Sequence, residues 1–301
     1  AGIAANFANL IVTPGLVFGL WDMPQLGVEG AAFGATIGRA IGGVVMAVVL
    51  LGGRRSVNLP WRVGERHRWR PDTAALRSLA GLSLPTAVEQ FQSTTATLIF
   101  GVLVLAEGTA ISAAQRVVFN LMGIAYLPAI GCATAATILV GQAVGSGVPM
   151  PGGPAALRAT TRSYVLALAW LATTGALFVA FAPALVGLYS SVPAVIEPGV
   201  PGLRIIGAYL PIASVGIVYG SALRGAGDTR SPMVISALAM WLVTLPLAWM
   251  AGSMVVVGLP GLLSAFCAGG FVSGGALWLR WRAVALRLIP QVAPTVVASS
   301  A

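Results

Sequence analysis

The stretch ISAAQRVVFNLMGIAYLPAIGCATAATILVGQA, residues 111–143, decides the fold. An α-helix needs about 20 apolar residues to cross a hydrocarbon core of about 30 Å. This run is longer than that and carries one charged side chain, Arg116, near its start. It shows no alternation of apolar and polar residues, so it does not read as a membrane β-strand. A helix satisfies its own backbone hydrogen bonds in lipid, where water is absent. Outward from this run, seven more follow the same rule, at residues 1–20, 29–52, 76–105, 159–184, 200–223, 232–251 and 259–281. The expected fold is an all-α integral membrane protein of about eight transmembrane helices.

Composition agrees. The 301 residues are 57% hydrophobic and only 8% charged, with a mean hydropathy of +0.91. A soluble domain carries about 25% charged residues, so the bilayer is the solvent here. The formal net charge is +9, and every basic residue is arginine. Such a charge raises the question of nucleic acid, but the arginines sit mainly in short loops between apolar runs, the positive-inside pattern of membrane proteins. Arg54, Arg55, Arg62, Arg66, Arg68 and Arg70 place the 53–72 segment in the cytoplasm. Arg158 and Arg162, then Arg224 and Arg230 in the 224–231 loop, then Arg280, Arg282 and Arg287 mark further cytoplasmic connections. Glu107, Glu197 and the uncharged 252–258 loop alternate with them on the outside. His67, the single histidine, reads as a solvated loop residue, and Cys132 and Cys267 lie in apolar runs with no metal-ligand spacing. The chain opens on Ala1 and an apolar stretch with no basic leader, which argues for a cut inside a longer protein.

Of eight acidic residues, Glu89 alone falls well inside an apolar run. A charge there is costly, so intramembrane carboxylates are paired, protonated or functional. Thr86, Glu89, Gln90, Ser93 and Thr97 recur at helical spacing and draw one polar stripe, suited to a cavity wall. Pro85, one turn earlier, frees a carbonyl and can kink the helix. Pro128, Pro211 and Pro246 are kink candidates of the same kind. Two readings stay open for Glu89: a cation-coupling group, or a protonated hydrogen-bond partner of a neighbouring helix. Gln115, Asn120 and Tyr126 on the next helix either line the same cavity or serve as interhelical glue. Arg116 suits a partnership with Glu107 or with external headgroups. Glycines at GxxxG spacing, Gly34/Gly38, Gly38/Gly42, Gly141/Gly145 and Gly270/Gly274, suit close helix packing. No phosphate loop, HExxH, nucleophile elbow or paired intramembrane acids is present, so the chain reads as no enzyme, with no metal and no cofactor.

An internal repeat is visible as well. Thr13-Pro14-Gly15-Leu16-Val17-Phe18-Gly19 followed by Gly27-Val28-Glu29-Gly30 answers to Leu245-Pro246-Leu247-Ala248-Trp249 followed by Gly258-Leu259-Pro260-Gly261. Repeats of this kind are common in transporters. The chain then holds one complete six-helix bundle and the last two helices of a preceding one. The domains read as 1–52 for those two helices, 53–75 for an Arg-rich cytoplasmic linker, 76–284 for the six-helix bundle and 285–301 for a cytoplasmic tail.

These residues resemble the multidrug and toxic compound extrusion (MATE) exporters. Asn9 with Leu16-Val17-Phe18-Gly19 is similar to that family's fifth helix, and Leu26-Gly27-Val28-Glu29-Gly30-Ala31-Ala32 to the opening of its sixth. Leu84-Pro85 with Glu89-Gln90 resembles its seventh helix. Ala113-Ala114-Gln115, Asn120-Leu121 and Leu139-Val140-Gly141-Gln142-Ala143-Val144-Gly145 resemble its eighth. Leu223-Arg224-Gly225-Ala226-Gly227-Asp228-Thr229 resembles the turn after its tenth. Thr13 departs from the Asp or Asn usual there. The resemblance implies a twelve-helix protein of which this chain carries helices five to twelve, the N-terminal helices of the same protein being its missing partner. It implies cation-coupled export of drugs or amphiphilic metabolites, cationic ones above all, across the inner membrane of a bacterium, with membrane lipid as surroundings and a proton or sodium as coupling ion. The stretch from Ile205 to Leu223 has no acidic residue, which tilts the ion toward protons. The alternative is a flippase for lipid-linked saccharides. Its pyrophosphate would need several arginines, and only Arg39, Arg116 and Arg204 stand away from the expected cytoplasmic loops.

Overall fold

A computed structural model of the chain describes residues 2–51, 73–145, 152–253 and 258–288. The arginine-rich 53–72 segment, the 254–257 loop and the tail from 289 lie outside them. Every regular element among the described residues is helical. In order they are α1 (Gly2–Phe18), α2 (Gly27–Leu51), α3 (Thr73–Ala106), α4 (Thr109–Gly145), α5 (Gly152–Ala180), the short α6 (Ala182–Gly187), α7 (Pro193–Gly225), α8 (Arg230–Leu238), α9 (Leu245–Ser253) and α10 (Gly258–Leu288). Residues Ala239–Thr244 join α8 to α9 as a π-helical turn. Seven stretches are long and apolar enough to cross a bilayer, α8 to α9 counting as one. The eighth apolar helix, α1, has 17 described residues, about 26 Å at 1.5 Å per residue.

The chain divides into two compact units, Ala1–Leu76 and Arg77–Ala301. In the first, α1 and α2 form a hairpin. The α1 helix ends in a left-handed turn, with φ of 70° at Gly19, 57° at Trp21 and 58° at Asp22. That turn brings Met23 back onto Gly15 and lets Leu26 N–H donate to Leu16 O at 2.8 Å. Gly30, Gly34 and Gly38 then face α1 so closely that a Cβ on them would overlap Leu16, Thr13 and the Ala5/Asn9 turn. Thr13 Oγ1 donates to Asn9 Oδ1 at 3.0 Å in the same contact. The glycine spacing is thus a packing surface, as such spacing is in lipid.

In the second unit α7 is the hub. It packs against α4, α5 and α10, and its span is the most buried, at 44%. Gly175 and Gly207 let α5 and α7 meet backbone to backbone. Phe100, Phe119 and Phe266 gather side chains of α3, α4 and α10 into one core. The α3 helix is absent from the closely approaching helix pairs of the unit. It joins the core through the buried side chains of Ala96, Phe100 and Val104.

The boundaries differ from the sequence reading at three places. The run 159–184 is not one helix: α5 starts at Gly152 and stops at Ala180, and Pro183 opens a separate α6, where a proline is tolerated because the N–H groups there have no helical partner. The expected loop at 185–199 shrinks, since α7 begins at Pro193 and runs through Pro198 and Pro201. At the other end α10 continues to Leu288, past the expected bundle edge.

Candidate functional site

Glu89 lies about ten residues inside the apolar span Leu79–Ala106, more than two helical turns from its start. Its side chain is 13% exposed. Arg224 Nη2 donates to its Oε1 at 3.1 Å, and Ser236 Oγ donates to the same oxygen at 3.4 Å. Three helices supply these groups: α3 the carboxylate, the last turn of α7 the guanidinium, and α8 the hydroxyl. They line a cavity of about 300 Å³ together with Thr86, Gln90 and Ser93.

Of the polar stripe expected on α3, then, Thr86, Glu89, Gln90 and Ser93 open onto one space. Thr97 does not border it, and its hydroxyl donates back to Ser93 O at 2.8 Å. Ser93 and Ser236 also border a second, smaller cavity of about 170 Å³, walled by Gln92, the π turn at Ala239–Met240 and Thr244, and Phe266. Trp241 Nε1 donates to Gln92 Oε1 at 3.0 Å across it. The π turn has a local cause. Pro246 has no N–H for the carbonyl of Leu242, so the helix ahead of it widens rather than continuing in α register. Both α3 and α4 run through their prolines, Pro85 and Pro128, as unbroken helices.

Gln115, Asn120 and Tyr126 stand elsewhere. Gln115 is buried on α4 beside Ala114. Asn120 Oδ1 accepts from Tyr189 OH at 2.9 Å. Tyr126 pairs with Tyr209 in the core. Arg116 is exposed on α4. Among the described residues no three His, Cys, Asp or Glu side chains come together as a metal site, and Cys132 and Cys267 are free and half-buried.

Arg224 is the residue that sequence reading misplaced, having put it in a cytoplasmic loop. It belongs to the final turn of α7, where Ala226 N–H bonds Ala222 O and Arg224 O, and reaches from there to α3. The signal available was the basic residue closing an apolar run, which is ordinary at a cytoplasmic helix end. Four residues on, Asp228 makes a second pair. Arg280 donates Nε at 3.0 Å and Nη2 at 2.8 Å to its Oδ2. Ser231 adds its N–H to Oδ1 at 3.0 Å and its Oγ to Oδ2 at 2.7 Å.

The MatE family model matches residues 85–250, more than half of the chain. The chain belongs to the MatE family. The matched region holds α4 to α8 and the part of α3 that carries Glu89, so the site lies inside the family domain. Among relatives, a Thermotoga maritima protein described as "Probable multidrug resistance protein NorM" is 28% identical, over 85% of this chain and 53% of that protein. A protein of the same description from Bradyrhizobium diazoefficiens is 30% identical, over 96% of this chain and 61% of its own length. The chain thus spans between half and about three fifths of the curated relatives it matches. A solved structure of a "MOP superfamily transporter from Pyrococcus furiosus" superposes with a TM-score of 0.83 over 95% of this chain and 62% of that one, at 17% identity. That likeness concerns the fold. The relatives are described as multidrug resistance proteins and the solved structure as a transporter.

Proposed function

We propose that the chain is the C-terminal part, helices five to twelve, of a cation-coupled antiporter that exports drugs or amphiphilic metabolites by alternating access, with Glu89 as the coupling group. One observation carries the reading. A carboxylate inside an apolar, membrane-length helix faces a polar cavity of about 300 Å³ and is balanced there by a single guanidinium. A buried charge of this kind is expensive to keep and needs a role. A proton or a sodium ion that binds Glu89 in one state better than in the other shifts the population between states by that difference in affinity. The names of the NorM relatives support efflux of drugs, and the bacterial sources support the cytoplasmic membrane. Residues 1–52 then belong to an N-terminal bundle, 53–75 to a cytoplasmic linker, 76–284 to the C-terminal bundle and 285–301 to the cytoplasmic tail. The N-terminal helices of the same protein complete the cavity, and lipid surrounds it. The lipid-linked saccharide flippase fares worse, because the arginine lining the cavity already faces a carboxylate and leaves no spare cation there for a pyrophosphate.

The test is efflux of a fluorescent cationic dye from cells expressing the full-length gene, beside its Glu89→Gln variant. Efflux should fall to the level of cells without the transporter. Response of the wild type to a sodium gradient or to a protonophore then names the ion. Efflux that survives the substitution moves coupling out of this site.

A further inference from the structure

Two carboxylate–arginine pairs flank the turn between α7 and α8, and they are built differently. Asp228 receives four hydrogen bonds from Arg280 and Ser231, none longer than 3.0 Å. Glu89 receives one guanidinium nitrogen at 3.1 Å and one long hydroxyl contact at 3.4 Å, both on Oε1. The first is a clamp between the turn and α10. The second is a single-point contact that a competitor can displace.

The base of Arg224 is fixed. Ala226 N–H and Asp228 N–H bond Ala222 O and Leu223 O, each at 2.9 Å. Thr137 Oγ1 donates to Ser221 O at 2.9 Å from α4, and a Cβ at Gly225 would overlap Thr137. The Asp228 clamp holds the far end of the turn. The Arg224 side chain, by contrast, is 32% exposed. A long flexible side chain on a rigid base is a tethered cation, able to leave the carboxylate without moving the backbone. Around it the cavity offers Thr86, Gln90 and Ser93 from α3 and Ser236 from α8. Glu89 and Arg224 are the charged groups of its lining. At this level α3 is tied to the rest of the unit by the contacts of Glu89 to Arg224 and Ser236 and of Gln92 to Trp241, among others.

We propose that Arg224 is a tethered competitor of the coupling cation at Glu89: guanidinium and ion occupy the carboxylate in turn, so that Arg224 sets how tightly the ion is held and neutralises Glu89 when the ion has left. The inference rests on the coupling role of Glu89 and deepens it. Two cations on one carboxylate oxygen repel, so entry of a proton or sodium frees the guanidinium toward the end of α7. Departure of the ion brings it back. At either stage a bare carboxylate at membrane depth is avoided, which is the costly state. The same exchange makes and breaks a tie between α3 and α7.

The experiment uses the full-length transporter in proteoliposomes, with ethidium as transported dye and either pH steps or sodium chloride gradients as drive. In Arg224→Gln the concentration of coupling ion needed for half-activation should fall about tenfold or more, since an opposite charge beside a carboxylate shifts ion binding by that order. Dye exchange should persist while net transport slows, because the ion is released late. Arg224→Lys keeps the charge and should shift the half-activating concentration less than Arg224→Gln does. Glu89→Gln with Arg224→Gln should match Glu89→Gln alone. An unchanged or raised half-activating concentration in Arg224→Gln overturns the proposal. So does an equal shift in Arg224→Lys, which would mean shape rather than charge. Where Glu89→Gln removes ion dependence and Arg224→Gln leaves it untouched, only this inference falls. Where Glu89→Gln keeps ion dependence, the coupling reading falls with it. A second measurement does not need the neutral variant. The described chain has no native lysine, so in Arg224→Lys an amine-reactive label mapped to position 224 by mass spectrometry should increase as coupling ion is added. Labelling indifferent to the ion overturns the proposal.

Discussion

Asp228 and Glu89 each face an arginine, yet they answer different needs. Asp228 lies outside the spans, in the turn between α7 and α8. Partial burial pushes its carboxyl upward, but the N–H and hydroxyl of Ser231 and the hydrogen bond and charge of Arg280 outweigh it and hold it below its ordinary value of 3.8. A carboxylate whose folded value is depressed stabilises the fold above the unfolded value, and that contribution disappears as pH falls through the folded one. Asp228→Asn should therefore lower the thermal midpoint of the detergent-solubilised protein at pH 7. Its difference from wild type should close progressively below about pH 3.8. A gap that stays constant into that range would mean that the Asp228 charge is irrelevant to the clamp. Of these two acids Glu89 is legible in the sequence as a candidate, because a carboxylate inside an apolar run is costly in lipid. Arg224 is not, because a basic residue after an apolar run looks like any cytoplasmic anchor. Only the packing of α7 against α4, with the turn clamped to α10, brings it to a residue 135 positions away.

At the scale of elements, length and apolarity make the helices readable, since bilayer thickness imposes both. Where helices meet is less so. Glycine spacing marks surfaces without saying which partner they fit. Gly30, Gly34 and Gly38 meet α1, whereas a Cβ at Gly43 or Gly145 would meet nothing within 4 Å. The break at Phe181 follows from Pro183 in the first turn of α6, whereas α7 runs through Pro198 and Pro201 without a break. The contrast between glycines can be measured. Gly34→Leu should push α2 off Thr13 and cost about 1–3 kcal/mol, the usual range for overpacking, seen as a lower thermal midpoint of the full-length protein and loss of the folded peak on gel filtration. Gly43→Leu on the same helix should leave both unchanged. Equal effects from the two would mean that helix propensity, rather than contact with α1, governs the stripe.

For the whole molecule, charge placement supplies an orientation that the helices alone lack. Within the second unit the connections alternate. Glu107 ends α3 and lies within 3.3 Å of where a Cβ on Gly252, near the end of α9, would stand, so these two acid or uncharged ends share one side. Arg224 and Arg230 bracket the turn at the other, and Arg280 reaches that turn through Asp228. Arginines near span ends are retained on the cytoplasmic side, so the Asp228 clamp and the approach to Glu89 past Arg224 should open to the cytoplasm. Single cysteines test this in a background with Cys132 and Cys267 replaced by alanine. In intact cells a membrane-impermeant maleimide should label Thr109→Cys and Ser191→Cys at once, and Arg230→Cys only after the membrane is made permeable. The reverse pattern would invert the molecule and place Arg224 at the external mouth. The ion pair would then guard uptake of the coupling cation from outside, and the order in which ion and guanidinium occupy Glu89 during a cycle would be reversed.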